Sequence, residues 1–240
     1  MKNKLTAALV EKDLRKLGKP AKAKVLSGFF KTGKGEYGEG DIFLGVTVPV
    51  QRKLAKKYKE LELAEISLLL KSPIHECRLT ALEILVMQYE KAKKRAPADN
   101  QQKIVDFYLK HIKHINNWDL VDATAPYILG DWLLNNERDI LYTYVKSKKL
   151  WERRISIIST LAFIRAGDFK DTIGLSELLL KDTHDLMHKA VGWMLREVGK
   201  RDELVLVRFL NTHAHIMPRT ALRYSIEKFP ESRRKRYLNM

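Results

Sequence analysis

The chain of 240 residues has a single cysteine, Cys77, so it forms no internal disulfide and no cysteine-based zinc cluster. Oxidised secreted scaffolds and zinc fingers are thereby excluded, and a reducing, cytoplasmic setting is expected. Long hydrophobic runs are missing too. The longest uncharged apolar run, residues 155–164, is about half of what a membrane-spanning helix requires. The amino-terminal Met1-Lys2-Asn3-Lys4-Leu5 reaches Glu11 after too short an apolar stretch for a secretory signal. No membrane association is expected. Strand-like alternation is nearly absent, and so is acidity: 29 Asp and Glu face 45 Lys and Arg, a formal net charge of +16. Such a field draws polyanions, nucleic acid or an anionic surface. With 45% hydrophobic residues the chain is too apolar to be disordered and long enough to bury a core, so one domain over residues 1–240 is expected.

The charge is unevenly placed. Residues 1–35 carry ten Lys and Arg against two acids, and residues 218–240 carry seven against two, which leaves only +3 for residues 36–217. Both ends keep apolar residues at helical spacing (Leu5, Leu9, Leu14, Leu17; Leu222, Ile226, Phe229), so both read as basic helices.

Helical periodicity recurs at 4–17, 20–31, 49–59, 63–70, 75–93, 99–114, 118–134, 138–147, 151–166, 171–180, 184–199, 202–212 and 218–228. Pro49, Pro73, Pro218 and Pro230 fall at helix boundaries, and Asp99, Asp171 and Asp202 are placed as N-caps. Segments opening at Glu76, Trp118, Glu152, His188 and Pro218 share a polar or aromatic start followed by an apolar stripe. They recur at about 30–40 residues, the length of two-helix solenoid repeats. The expected fold is all-α, a curved solenoid of helix pairs whose second helices line a concave face. On that face the pattern puts Arg78, Trp118, Asp122, Arg154, Lys189, Trp193 and Arg219.

Residues 32–41 break the pattern with four of the 12 glycines. The stretch lacks the Gly-Lys-Ser/Thr ending of a nucleotide loop, and its Gly-x-Gly-x-x-Gly spacing at residues 33–38 does not follow a strand, which leaves a functional loop or a plain connection. His184 and His188, and His111 and His114, can each share a helix face, but no further ligand completes a zinc pattern, so neither a metal nor a cofactor is expected. Cys77 has no patterned base, and no Gly-x-Ser-x-Gly occurs.

The cluster with most chemical content is Asn116-Asn117-Trp118-Asp119-Leu120-Val121-Asp122, followed by Trp151-Glu152-Arg153-Arg154 and Lys189-Ala190-Val191-Gly192-Trp193. Trp118 and Asp122 are four apart and reach one helix face. A carboxylate framed by indoles and an arginine suits a substrate cationic at one atom and anionic at the next. The spacing equally accommodates Trp193 as a core residue and Asp119 or Asp122 as a helix cap.

These segments resemble the AlkD-like DNA alkylation repair family of HEAT-like repeat DNA glycosylases. The likeness runs through Phe29-Phe30-Lys31, Phe43-Leu44-Gly45-Val46 with Pro49 and Arg52, and Asn117-Trp118-Asp119-Leu120-Val121-Asp122. It continues in Leu150-Trp151-Glu152-Arg153-Arg154, His188-Lys189-Ala190-Val191-Gly192-Trp193-Met194-Leu195-Arg196-Glu197 and Pro218-Arg219. The resemblance implies a right-handed α-solenoid of HEAT-like two-helix repeats and excision of positively charged N3- or N7-alkylated purines from double-stranded DNA without base flipping; a monomer is expected. It implies that Trp118 and Trp193 contact the deoxyribose and backbone, that Asp122 stabilises the oxocarbenium-like sugar, and that Arg154 holds a phosphate. Phe29 stands where the family's glycosylase has a tyrosine, and the glycine-rich insertion is longer than in that enzyme. Some relatives bind branched or distorted DNA without excision, so a non-catalytic DNA-binding module and a scaffold for an acidic protein are the competing readings.

Overall fold

The computed structural model describes residues 4–95 and 98–240. Residues 1–3, the start of the amino-terminal stretch weighed as a signal, lie outside them. The described residues are helical with connecting turns, and the one β-type contact is an isolated bridge between Ile42 and Ile74. Contacts divide the chain into two compact units, residues 1–124 and 125–240.

The first unit holds α1 (Ala7–Leu17), α2 (Pro20–Phe29), α3 (Val48–Lys57), α4 (Leu63–Leu70), α5 (His75–Arg95), α6 (Ala98–Lys110) and the short α7 (Trp118–Asp122). Thr6 caps α1 by accepting from the Leu9 amide, and the helix buries Ala7, Val10 and Leu14, the stripe its spacing announces. Helix α5 is the centre of the unit, packed by α1, α3, α4, α6 and α7. Proline opens α2 at its first position, where a missing N–H costs nothing. None of the residues of α2 is buried, and Val25 and Phe29 stand 68% and 62% exposed.

The second unit holds α8 (Asp139–Tyr144), α9 (Leu150–Ser159), α10 (Leu161–Arg165), α11 (Lys170–Leu179), α12 (Asp185–Gly199), α13 (Glu203–His213), α14 (Arg219–Ser225) and α15 (Glu231–Leu238). Helices α9, α12 and α14 pack side by side. Their partners are α8 and α11 on α9, α11 and α13 on α12, and α15 on α14. This nearest-neighbour stacking of helix pairs is that of a helical solenoid.

Helices α12 and α14 come close at Gly192, where a Cβ would lie 2.5 Å from the Ala221 carbonyl oxygen and 2.5 Å from Tyr224 Cβ. Gly192→Ala is expected to push α12 off α14 and cost about 1–3 kcal/mol, as overpacking does. A urea midpoint unchanged from wild type would contradict this.

Several helices differ from their expected bounds. The stretch 118–134 is not one helix: α7 ends at Asp122, and Pro126 opens a π-type turn, Pro126–Gly130. Residues 151–166 divide at Thr160, whose hydroxyl donates back to the Ile157 carbonyl. Asp202 caps α13 as expected, through the amides of Leu204 and Val205. Asp171 does not cap α11. It is buried in the second position and accepts from Arg138 at 2.5 Å and from the Tyr142 hydroxyl at 2.8 Å. Asp99 likewise lies inside α6 rather than before it.

Candidate nucleic-acid interface

In the first unit the site is assembled around the start of α7. Asn117 precedes the helix as its cap, accepting from the Trp118 amide, and its side-chain amide donates to Asp41 at 3.3 Å. Asp119 turns one carboxylate oxygen to the Leu120 amide and the other to His75 Nε2, at 2.8 Å. Trp118 is half-buried, and so is Asp122, one turn later on the same helix.

The Trp118 ring is supported by phenylalanines. Phe30 stacks on it at 5.2 Å with an interplanar angle of 9°, and Phe29 meets it edge-on at 5.9 Å. Phe30 in turn stacks on Phe43, and Phe43 on His75, at 4.9 and 4.6 Å. Three chain segments, at Phe29–Phe30, Phe43 and His75, thus hold the indole in place through a ladder of ring contacts. Beside this ladder lies a cavity of about 250 Å³ whose lining includes Leu26, Phe30, Phe43, Val46, His75 and Asp119.

The end of the glycine-rich loop completes this arrangement. The Ile42 amide donates to the Pro73 carbonyl and the His75 amide to the Ile42 carbonyl, so residues 41–43 run along residues 73–75. Glu76 fastens the next three residues, its buried carboxylate accepting from the amides of Leu44, Gly45 and Val46. Gly45 has φ +83°, and a Cβ there would fall 2.3 Å from the Lys19 carbonyl oxygen, so no other residue lets the loop pass α2 this closely. The loop is therefore an anchored element at its carboxyl end rather than a plain tether.

Arg78 is placed otherwise than expected. It is buried, donates to Asp41 at 2.6 Å and to the Ser72 carbonyl at 3.1 Å, and stands below the surface. The reason is Asp41: a carboxylate buried among rings needs cationic partners, and the first turn of α5 supplies Arg78 and His75. Burial by itself would raise the Asp41 carboxyl, but the His75 hydrogen bond and the Arg78 charge outweigh it and hold the group below the ordinary range.

In the second unit the expected residues fall on the packed row: Arg154 on α9, Lys189 and Trp193 on α12, Arg219 on α14. Trp193 is half-buried, so it is not simply core. Lys189 pairs with Asp185 at 2.8 Å, and Thr220 donates to the same carboxylate. These hydrogen bonds, from Lys189 first, hold the Asp185 carboxyl below its ordinary value. Arg219 is exposed and donates to the Leu238 carbonyl. Arg154, expected to grip a phosphate, is buried and donates to the Leu186 carbonyl at 2.6 Å, which ties α9 to the first turn of α12.

Three of the four paired histidines, His111, His184 and His188, have structural partners. His184 caps α12 by accepting from the Leu186 amide, and His188 Nε2 lies 2.6 Å from the Asp182 carbonyl oxygen. His111 lies between Ser67 and the Phe107 carbonyl. Among the described residues no group of three or more His, Cys, Asp and Glu is placed to hold a metal ion, and no helix is long and apolar enough to cross a membrane.

Sequence reasoning missed Asp41, His75, Asp119 and Phe30 as a unit. The available signal was the crowding of His75, Glu76 and Arg78 into the start of a helix whose next residues are apolar.

No curated protein matches the chain. A solved structure described as a predicted DNA alkylation repair enzyme from Enterococcus faecalis is similar in fold, with a TM-score of 0.70 at 16% identity, covering 89% of this chain and 97% of that one. The family model of the DNA alkylation repair enzymes matches residues 10–229. The chain, with its paired helices and its Trp118–Asp122 turn, therefore belongs to the DNA alkylation repair enzyme family.

Proposed function

We propose that the protein is a DNA glycosylase that releases positively charged N3- and N7-alkylated purines from double-stranded DNA. The observation that carries this reading is the α7 turn, which sets a carboxylate one helical turn from an indole buttressed by Phe29 and Phe30. Alkylation at N3 or N7 places a positive charge on the purine. As the bond from C1′ to the base breaks, its electron pair returns to the ring and neutralises that charge, so no strong general acid is needed. The positive charge passes to the sugar as an oxocarbenium, and a fixed carboxylate stabilises it at that moment. Water then adds to C1′ and gives up a proton, leaving a free alkylpurine and an abasic sugar.

In this reading Asp122 faces the reacting sugar, and Trp118 and Trp193 bear on deoxyribose and backbone through their ring faces. The half-buried Lys189 and the exposed Arg219 meet backbone phosphates, as does Arg154 if its buried guanidinium turns outward. The damaged base reacts without being drawn into a pocket. The test is release of 7-methylguanine or 3-methyladenine from methylated duplex DNA by wild-type protein and by Asp122→Asn. Tight binding to such DNA with no base released by wild type would overturn the proposal.

A further inference from the structure

Asp41, His75, Arg78 and Asp119 form a buried cluster, their side chains 5%, 2%, 5% and 14% exposed. Both ring nitrogens of His75 face carboxylates: Nδ1 is 3.0 Å from Asp41 and Nε2 is 2.8 Å from Asp119. A carboxylate accepts, and a neutral imidazole has one N–H to give. The geometry therefore requires both nitrogens to be protonated, which makes His75 a cation and brings the formal charge of the cluster to zero. Arg78 Nη2 is 3.5 Å from Nδ1 on the side of Asp41, and Lys22 shares the cavity that His75 lines. Glu76 turns away, to the amides of residues 44–46. The rings of Phe30 and Phe43 close the remaining sides.

Helix α7 is a single turn of five residues and cannot fix its own orientation. Three contacts at its start do so: Asn117 with Asp41, Trp118 with Phe30, and Asp119 with His75. His75 touches Asp41 and Asp119, and it supports Phe30 both directly and through Phe43.

We infer that His75 is a positioning residue for the reaction, its imidazolium fastening the start of α7 to the end of the glycine-rich loop so that Trp118 and Asp122 keep one orientation. This rests on the glycosylase reading and adds to it a residue that never meets DNA, since His75 is 1% exposed.

The charge state makes the inference testable. Burial pushes His75 toward the neutral form, but the hydrogen bonds it donates to Asp119 and Asp41 outweigh it and raise the group above its ordinary 6.5. The contribution of the cation is therefore complete below that value and is lost as pH rises through the raised one. In wild-type protein both His75 ring nitrogens are expected to give protonated-type ¹⁵N shifts at neutral pH. A neutral-tautomer pattern would overturn the inference without any variant being made.

His75→Gln and His75→Phe are expected to slow single-turnover base release by on the order of 10–100-fold, as misplacement of a reacting group does, with DNA affinity near wild type. The wild-type rate falls on the alkaline side, and that limb is absent in His75→Gln. Wild-type rates in His75→Gln across about pH 6–9 would overturn the inference and leave the glycosylase reading standing. If wild-type protein releases no base, that reading fails by itself, and the indole N–H resonance of Trp118 decides the positioning claim. Displacement in His75→Gln supports it, and an unmoved resonance overturns it.

Discussion

Asp122→Asn is expected to lower single-turnover base release from methylated duplex DNA by on the order of 100–1,000-fold while leaving DNA binding at least as tight as in wild type. The substitution keeps the shape and one accepting oxygen, turns the other oxygen into a donating amide nitrogen, and removes the negative charge. Fixed groups aimed at charge that develops in the transition state contribute about 3–4 kcal/mol each, which corresponds to that loss in rate. The opposite sign for binding has the same origin, because a carboxylate facing a polyanion repels it and the amide does not. The measurement is a rate under saturating enzyme beside a titration with intact duplex. A variant that loses binding and rate in proportion would assign Asp122 to docking and remove it from the chemistry.

The second large effect is on stability. Asp41→Ala leaves two buried cations, His75 and Arg78, with Asp119 as their one carboxylate within the cluster. Breaking a buried ion pair from one side costs about 3–5 kcal/mol, because the partner stays desolvated without compensation. That is a large share of the stability of an ordinary domain. The loss should appear as a lower urea midpoint, and a change below about 1 kcal/mol would mean that the cluster is more hydrated than its burial implies. Asp41 lies below its ordinary 3.8, so its contribution is complete above that value and is lost only as pH falls through the lowered one. Together with His75, which works in the opposite sense, this gives the first unit a stability plateau bounded on the acid side by Asp41 and on the alkaline side by His75.

Much of the fold was legible because it is written in short-range periodicity. The stripe of α1, the bounds of α4 at 63–70 and the Asp202 cap depend on neighbours within one or two turns. Trp118 and Asp122 were legible for the same reason, as two residues one turn apart. The positions of Asp41 and His75 depend instead on a bridge between residues 42 and 74, a pairing that no local pattern encodes. Arg78 and Arg154 misled in one way: a charged residue opening a helix reads as a solvent face unless the carboxylate or carbonyl that will cover it is known. Helix α15 was hidden by its own charge, since Arg233-Arg234-Lys235-Arg236 leaves Tyr237 as its one buried residue.

The helix that brings Phe29 to Trp118 has no residue in the core. Such a segment opens locally at a free energy well below that of global unfolding, and α5, with Leu82, Ile84 and Leu85 fully buried, does not. Deuterium uptake along residues 20–29 should therefore outpace that along α5 and slow when duplex DNA is bound. The aromatic edge of the site is thus carried on a segment whose order depends on what it touches, whereas the carboxylate sits on a turn pinned from beneath. In the glycosylase reading, adaptability to the lesion and rigidity at the reacting atom are divided between two helices of one unit.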